Sequence, residues 1–216
     1  MTGAVRPDVQ QRLRHVKWIG GGSGAGKSTI ARHLAARHGL RIYATDDAML
    51  DHARRSTPES APQLTRFLEM SMDERWLGQT PEAMVDSFHW FRGECFDLVV
   101  EDLLTTAAKP GGVIAEGFRL LPHLVRPLLI DPGQAVWLLP TPEFRSAAFD
   151  NRGTMWDIPN ATSDPRTAQC NLLKRDHLFT ERLRREVEGL GLPFVDVHGS
   201  LGEDELVNHV AATLGL

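Results

Sequence analysis

The first regular pattern in the chain is Val16-Lys17-Trp18-Ile19, a short apolar run that stops at three successive glycines, Gly20, Gly21 and Gly22. Ile30, Leu34 and Ala35 then recur at helical spacing, so the pattern predicts a strand, a tight loop and a helix over 28–37 closed by Gly39. Further strand-length apolar runs occupy 40–44, 111–116, 135–139 and 194–197, with helical patterns between and after them. Strands alternating with helices predict an α/β domain built on a parallel sheet.

Two intervals do not fit a plain alternation. Residues 56–108 read as helical throughout, with breaks near Pro58, Pro62, Gly78 and Pro81. That is more than a simple crossover needs, and a helical substrate-binding region is expected there. Thr80-Pro81-Glu82 carries an N-cap followed by proline at the first helical position, and predicts a long helix through Phe88, Phe91, Phe96, Val99 and Leu103. Of its polar members His89, Arg92 and Glu94, Arg92 is the preferred substrate contact. The second interval, 153–168, is rich in Gly, Pro, Asn, Asp and Thr around Trp156, the composition of a lid loop. Pro7, Val9 and Leu13 suggest a short helix within an N-terminal arm, 1–15, and the whole of 1–216 reads as one domain.

Composition narrows the function classes. A net charge of -4 and a pI near 6.1 give no overall attraction to nucleic acid or anionic membrane. No run of residues approaches a membrane span, and residues 1–15 lack a signal-peptide core. Cys95 and Cys170 lie far apart without metal-ligand spacing, so both are expected as packing residues in a reducing, cytoplasmic setting. A monomer or homodimer is expected, with no membrane partner.

The chemistry concentrates after the first strand. Gly21 to Ser28 carries Gly-x-x-x-x-Gly-Lys-Ser, the signature of a phosphate-binding loop. Backbone N–H groups of Gly21, Gly22, Ser23, Gly24, Ala25 and Gly26 can wrap a triphosphate because glycine adopts backbone angles that other residues avoid. Lys27 reaches the β- and γ-phosphates, the Ser28 hydroxyl suits Mg²⁺, and Thr29 closes the segment in the first helical turn. ATP and Mg²⁺ are the expected cofactors. The second strand delivers Asp46 and Asp47 at its carboxyl end, the edge at which open α/β sheets bind ligands. Asp46 is expected to face the site as proton acceptor or metal contact, while Asp47 divides between capping the next helix and touching substrate. The third strand ends in Glu116, expected at the same edge for a water-mediated Mg²⁺ contact, with Arg119 nearby as a candidate acceptor contact. Arg145 and Arg152, seven residues apart on a helix starting near Thr141, and Arg175 on the helix 166–188 would complete a cationic lid over the phosphates.

On these residues the chain resembles the P-loop kinases of the nucleoside-monophosphate-kinase-like group, in particular their small-molecule phosphotransferase branch. Asp46-Asp47 is similar to the position where chloramphenicol phosphotransferases and the kinase domain of polynucleotide kinases carry an acid that activates a hydroxyl. Glu116-Gly117-Phe118-Arg119 is similar to the Asp-Gly-Phe-Pro-Arg of adenylate kinases, with Glu for Asp and no proline. The resemblance implies a three-layer P-loop NTPase fold with a five-stranded parallel sheet of order 2-3-1-4-5. It implies an ATP- and Mg²⁺-dependent kinase acting on a hydroxyl of a small molecule. A nucleoside or nucleotide kinase is the alternative within that class, and a nucleotide-dependent switch the alternative outside it.

Overall fold

The computed structural model describes residues 7–106, 112–151 and 157–216. Five strands form one sheet: β1 (Val16–Gly21), β2 (Arg41–Ala44), β3 (Val113–Glu116), β4 (Ala135–Pro140) and β5 (Phe194–Val197). All neighbours are parallel and the order is β2-β3-β1-β4-β5, as the resemblance implied.

The central strands are apolar on both faces because helices cover both, and residues alternate between two cores with the period of two that a strand imposes. Val16, Trp18, Val113, Ala115, Trp137 and Leu139 belong to one core. Ile19, Ile114, Val136 and Leu138 belong to the other. The second core is closed by α2 (Lys27–His38) and α12 (Glu203–Leu214), which pack on each other and on the sheet. The first is closed by α1 (Pro7–Leu13), α7 (Phe96–Thr106), α8 (Pro122–Val125) and the 25-residue α11 (Pro165–Gly189). Leu13 of the N-terminal arm is fully buried in it.

The 56–108 interval is helical in pieces. After α3 (Met49–Arg55) come α4 (Pro62–Glu69), α5 (Met72–Trp76) and α6 (Pro81–Ser87), then one 3₁₀ turn over His89–Arg92, then α7. The long helix expected from Thr80 through Leu103 is therefore interrupted. Thr80 does cap α6, accepting from the Ala83 N–H at 3.2 Å, with Pro81 in the first turn. The expected helix breaks first at Phe88, whose ψ of 115° is extended, and again at Gly93 and Cys95, whose φ angles of 80° and 61° leave the helical region. A Cβ at Gly93 would also lie 2.5 Å from Leu124 Cδ1, so the turn closes tightly against the segment after β3.

Beyond β4, α9 (Pro142–Asn151) and α10 (Asp157–Asn160) precede α11. The described part of 153–168 thus carries a helical turn rather than loop alone. Asp164 caps α11 by accepting from Thr167 N–H at 3.1 Å, and Ser163 N–H donates to Asp73 at 2.8 Å.

Candidate active site

Strand register brings the sequence motifs to one edge. Ile19 and Ala44 both pair with Glu116, so the phosphate loop leaves β1 and the Asp46 turn leaves β2 at the level where β3 ends. Thr45 N–H donates to Glu116 O at 2.9 Å, and Gly117 N–H donates to Ile19 O at 3.1 Å, tying the three strand ends together. Gly22 N–H continues the ladder to Leu138 O at 2.9 Å.

The loop itself depends on glycine at three points, Gly21, Gly24 and Gly26, all at positive φ. Gly21 has φ 127° and lies against the Leu138 backbone, where a Cβ has no room. Gly24 has φ 77°, and a Cβ there would lie 2.9 Å from Arg145 Cδ. Gly26 ends the loop in the left-handed region as N-cap of α2, leaving the first-turn N–H groups directed at the loop. Ala25 is buried in the core beneath, and Ser28 is exposed at the helix start. Lys27 is buried, with Nζ donating to Gly22 O at 2.7 Å, while Thr29 accepts from Arg32 at 3.3 Å on the outer surface. The architecture is the three-layer α/β fold of P-loop NTPases.

Three carboxylates face this cradle. Glu116 is 4% exposed, and burial pushes its carboxyl above the ordinary value while the Ser28 hydroxyl and Lys27 pull it back. Asp46 is solvent-exposed in the turn after β2, and partial loss of hydration to the protein around it raises its carboxyl too, against Lys27, the Thr45 hydroxyl and Arg119. Asp47 is exposed, and its charge raises both. It does not cap α3, whose N-cap is Ala48 and receives no side-chain hydrogen bond. Among the described residues no group of three or more His, Cys, Asp or Glu side chains holds a metal by itself. Ser28, Asp46 and Glu116 are hard oxygen donors with crowded negative charge, which suits Mg²⁺ shared with nucleotide phosphates.

Arg119 departs from the expectation of an acceptor contact. It is 2% exposed, donates to Thr45 O at 3.1 Å and Cys95 O at 3.4 Å, and stacks 4.0 Å over the Trp90 ring. Its remaining Nη2 contact is His52, which is also buried. Asp102 closes this network, 2.8 Å from both His52 Nε2 and the Tyr43 hydroxyl. Arg119 thereby holds the Thr45–Asp46 turn from behind. Arg92 likewise leaves the site: it is exposed, donates to Asp86 O at 2.9 Å, and does not line the cavity described below. Glu94 caps α4, accepting from Gln63 and Leu64 N–H at 2.9 and 2.8 Å.

Of the lid arginines, Arg145 and Arg175 meet on one carboxylate. Asp176 accepts from Arg145 Nη2 and Arg175 Nη2, both at 2.6 Å, and all three are buried. Arg152 lies outside the described residues, as does Trp156. Lys174, Arg182 and Arg184 pair with Glu82, Glu186 and Asp196 on the surface. Cys95 is buried 3.0 Å from the Ser56 hydroxyl, whereas Cys170 is exposed and is not a packing residue.

Beside the loop lies a cavity of about 430 Å³, bounded by Ser23 on the cradle side and Met49 on the Asp46 side. Its walls are Phe67, Trp76, Phe88, Trp90, Phe91 and Phe179, with His89 and Arg175 among them. Phe88 and Phe91 stand in the apolar period that follows Thr80, but that period does not show that rings from several helices converge here. Trp76 and Phe67 carried no periodic signal, because their short helices cross at angles that only the folded chain sets.

No protein-family model matches the chain, and no curated protein does. Among solved structures, a deoxyadenosine kinase from M. mycoides with bound dATP aligns with 93% of this chain and 99% of its own, at 14% identity and a TM-score of 0.47. A likeness of that depth carries no reading of the chemistry.

Proposed function

We propose that the protein is a kinase that transfers the γ-phosphoryl group of ATP to a hydroxyl of a small molecule. The observation that carries this is the juxtaposition of a phosphate cradle, two crowded carboxylates and a roomy cavity at one sheet edge.

Lys27 and the loop N–H groups hold the β- and γ-phosphates and follow the charge that moves between them. Bound Mg²⁺ would neutralise phosphate charge, and Ser28 and Glu116 would hold it. Asp46 takes the proton of the acceptor hydroxyl as its oxygen meets phosphorus. Its position beyond the last β2 residue, fixed from behind by Arg119, supplies the orientation such a base requires. Arg145 lies against Gly24 of the loop and Arg175 lines the cavity, and both would stabilise the charge that develops during transfer.

The test is ADP release with ATP and a panel of alcohols, read as the excess over background hydrolysis. The kinase reading expects acceptor-stimulated release that Asp46→Asn lowers by about 10²–10⁴-fold while ATP still binds. A background rate that no alcohol stimulates would favour the nucleotide-dependent switch instead.

A further inference from the structure

The carboxylate of Asp176 joins the phosphate loop to the cavity beside it. Asp176 sits on α11 with each oxygen committed to a different guanidinium. Oδ2 accepts from Arg145 Nε at 3.1 Å and Nη2 at 2.6 Å, and Oδ1 accepts from Arg175 Nε at 3.0 Å and Nη2 at 2.6 Å. Such side-on forks fix the orientation of each partner as well as its distance, which a point contact does not. The two oxygens belong to one planar group, so a turn that follows Arg145 also tilts the oxygen that holds Arg175.

The two arginines reach into different halves of the site. Arg145, on α9, runs against the loop, where a Cβ at Gly24 would lie 2.9 Å from its Cδ and 3.3 Å from its Nη1. Arg175 stands on the cavity wall, 5.1 Å from the Trp76 and Phe88 ring centroids and 5.3 Å from that of Phe91. α11 meets the loop again one turn on, where Thr180 Oγ1 would lie 2.6 Å from a Cβ at Gly22. Asp176, Arg145 and Arg175 are 2%, 5% and 8% exposed, so water screens their charges little and each ion pair depends on the other. The bridge is nevertheless not wedged in solid core. Asp176 belongs to the wall of the 430 Å³ cavity on one side and of a cleft of about 230 Å³ between α9 and α11 on the other, with Arg145, Ser146 and His177. Space on both sides lets the three side chains reorient, which a close-packed interior would oppose.

We propose that Asp176 is a positioning residue that transmits nucleotide occupancy of the loop to the cavity wall, through the forks of Arg145 and Arg175. A triphosphate at the loop adds negative charge beside Gly24 and draws Arg145 from the shared carboxylate. Asp176 then turns toward its remaining partner, and Arg175 shifts over the Trp76 ring. By linkage, whatever fills the cavity alters nucleotide affinity by the same factor. The inference rests on nucleotide binding at the loop, which the kinase and switch readings share, and not on phosphoryl transfer.

The test reads Trp76, one of five tryptophans, by ¹⁹F NMR of the full chain labelled with 5-fluorotryptophan, with its resonance assigned through Trp76→Phe. A non-hydrolysable ATP analogue with Mg²⁺ is expected to shift that resonance in wild type, saturating at the dissociation constant that calorimetry gives. Asp176→Asn should still bind the analogue and lose most of the Trp76 shift. The resonance of Trp137, fully buried in the sheet, should keep its wild-type position and so report an intact fold. Should Asp176→Asn fail to fold, Arg145→Lys takes its place, because lysine keeps the charge but cannot form the fork, and it should act in the same direction. A Trp76 resonance that does not move when the analogue binds wild type, or a shift of wild-type size in a variant that folds, would overturn the proposal. So would loss of analogue binding in both variants, which would show that the bridge supports the loop itself.

The kinase reading fails separately. A Trp76 shift that depends on Asp176, with no alcohol stimulating ADP release, removes the kinase and keeps the bridge. Alcohol-stimulated release with a silent Trp76 does the reverse, and an analogue that does not bind wild type removes both.

Discussion

Arg119 Nη2 lies 2.9 Å from His52 Nδ1, deep in the interior. A guanidinium has only donors, so Nδ1 accepts, and the ring proton sits on Nε2 facing Asp102 Oδ2. The surface carboxylate thus fixes a tautomer, the tautomer receives an arginine, and the arginine holds the peptide that precedes Asp46. His52→Phe should lower unfolding stability by about 1–3 kcal/mol, since it strands a buried donor. It should also slow transfer while leaving ATP affinity intact, because the cradle hangs from β1. Urea unfolding and ATP titration measure the two effects, and an equal loss of ATP binding would show that the network supports the whole fold rather than the acid turn.

The crowding of Asp46, Asp47 and Glu116 has a pH signature. Burial raises the Asp46 and Glu116 carboxyls, so each takes up its proton at a higher pH than an ordinary carboxylate when the solution is acidified. The acid limb of kcat/KM is therefore expected above the usual carboxylate range. Asp47→Asn removes a charge that raises both groups and should move that limb to lower pH. A limb that stays put, or moves upward, counts against Asp46 as the proton acceptor.

Asp176 is the opposite case. Burial opposes its charge, but Arg175 and Arg145 overcome that penalty and hold its carboxyl below the ordinary value. A depressed carboxyl contributes stability that is present above the unfolded-state pKa and lost as pH falls through the folded one. Asp176→Asn should thus cost about 3–5 kcal/mol near neutrality by leaving two guanidiniums buried against an amide. The difference from wild type should shrink on acidification, which denaturant midpoints across the acid range would register.

Gly117, with φ 145°, stands directly against the Thr45 side chain, where a Cβ would collide with the hydroxyl. Gly117→Ala should cost about 1–3 kcal/mol in strain and push the Thr45–Asp46 turn away from the cradle. Transfer is expected to fall far more than ATP affinity, in contrast to Gly21→Ala, where the collision is with the Leu138 backbone and nucleotide binding itself should fail. Paired kinetic and binding measurements on the two variants distinguish them.

The sheet was readable from the chain because its signals are local: buried runs, a glycine-rich turn, and acids placed just past strand ends. Gly21–Ser28, Asp46 and Glu116 fall together for that reason. The surroundings of Arg119 and Arg92 were illegible for a common cause, since an arginine after a strand or on a polar helix face looks the same whether it meets a ligand, an aromatic ring or a backbone carbonyl. Only the packing of Trp90 and His52 around Arg119 separates these cases. The breaks at Phe88 and at Gly93–Cys95 escaped detection because Phe88 fits the apolar period, one glycine in such a run is tolerated in many helices, and the tight approach of Leu124 to Gly93 comes from a distant segment. The bridging role of Asp176 was not legible beside its neighbour Arg175, as its second partner is 31 residues away.

Most of the rings around the cavity belong to α4, α5, α6–α7 and α11, while the phosphate loop belongs to β1 and rests on a different core. Substituting Phe67 or Trp76 alters what fits without disturbing any inter-strand ladder. On the kinase reading, choice of acceptor can accordingly drift among descendants of this chain while the nucleotide half stays fixed, and, with the Asp176 bridge kept, an engineer can redesign one end without retuning the other.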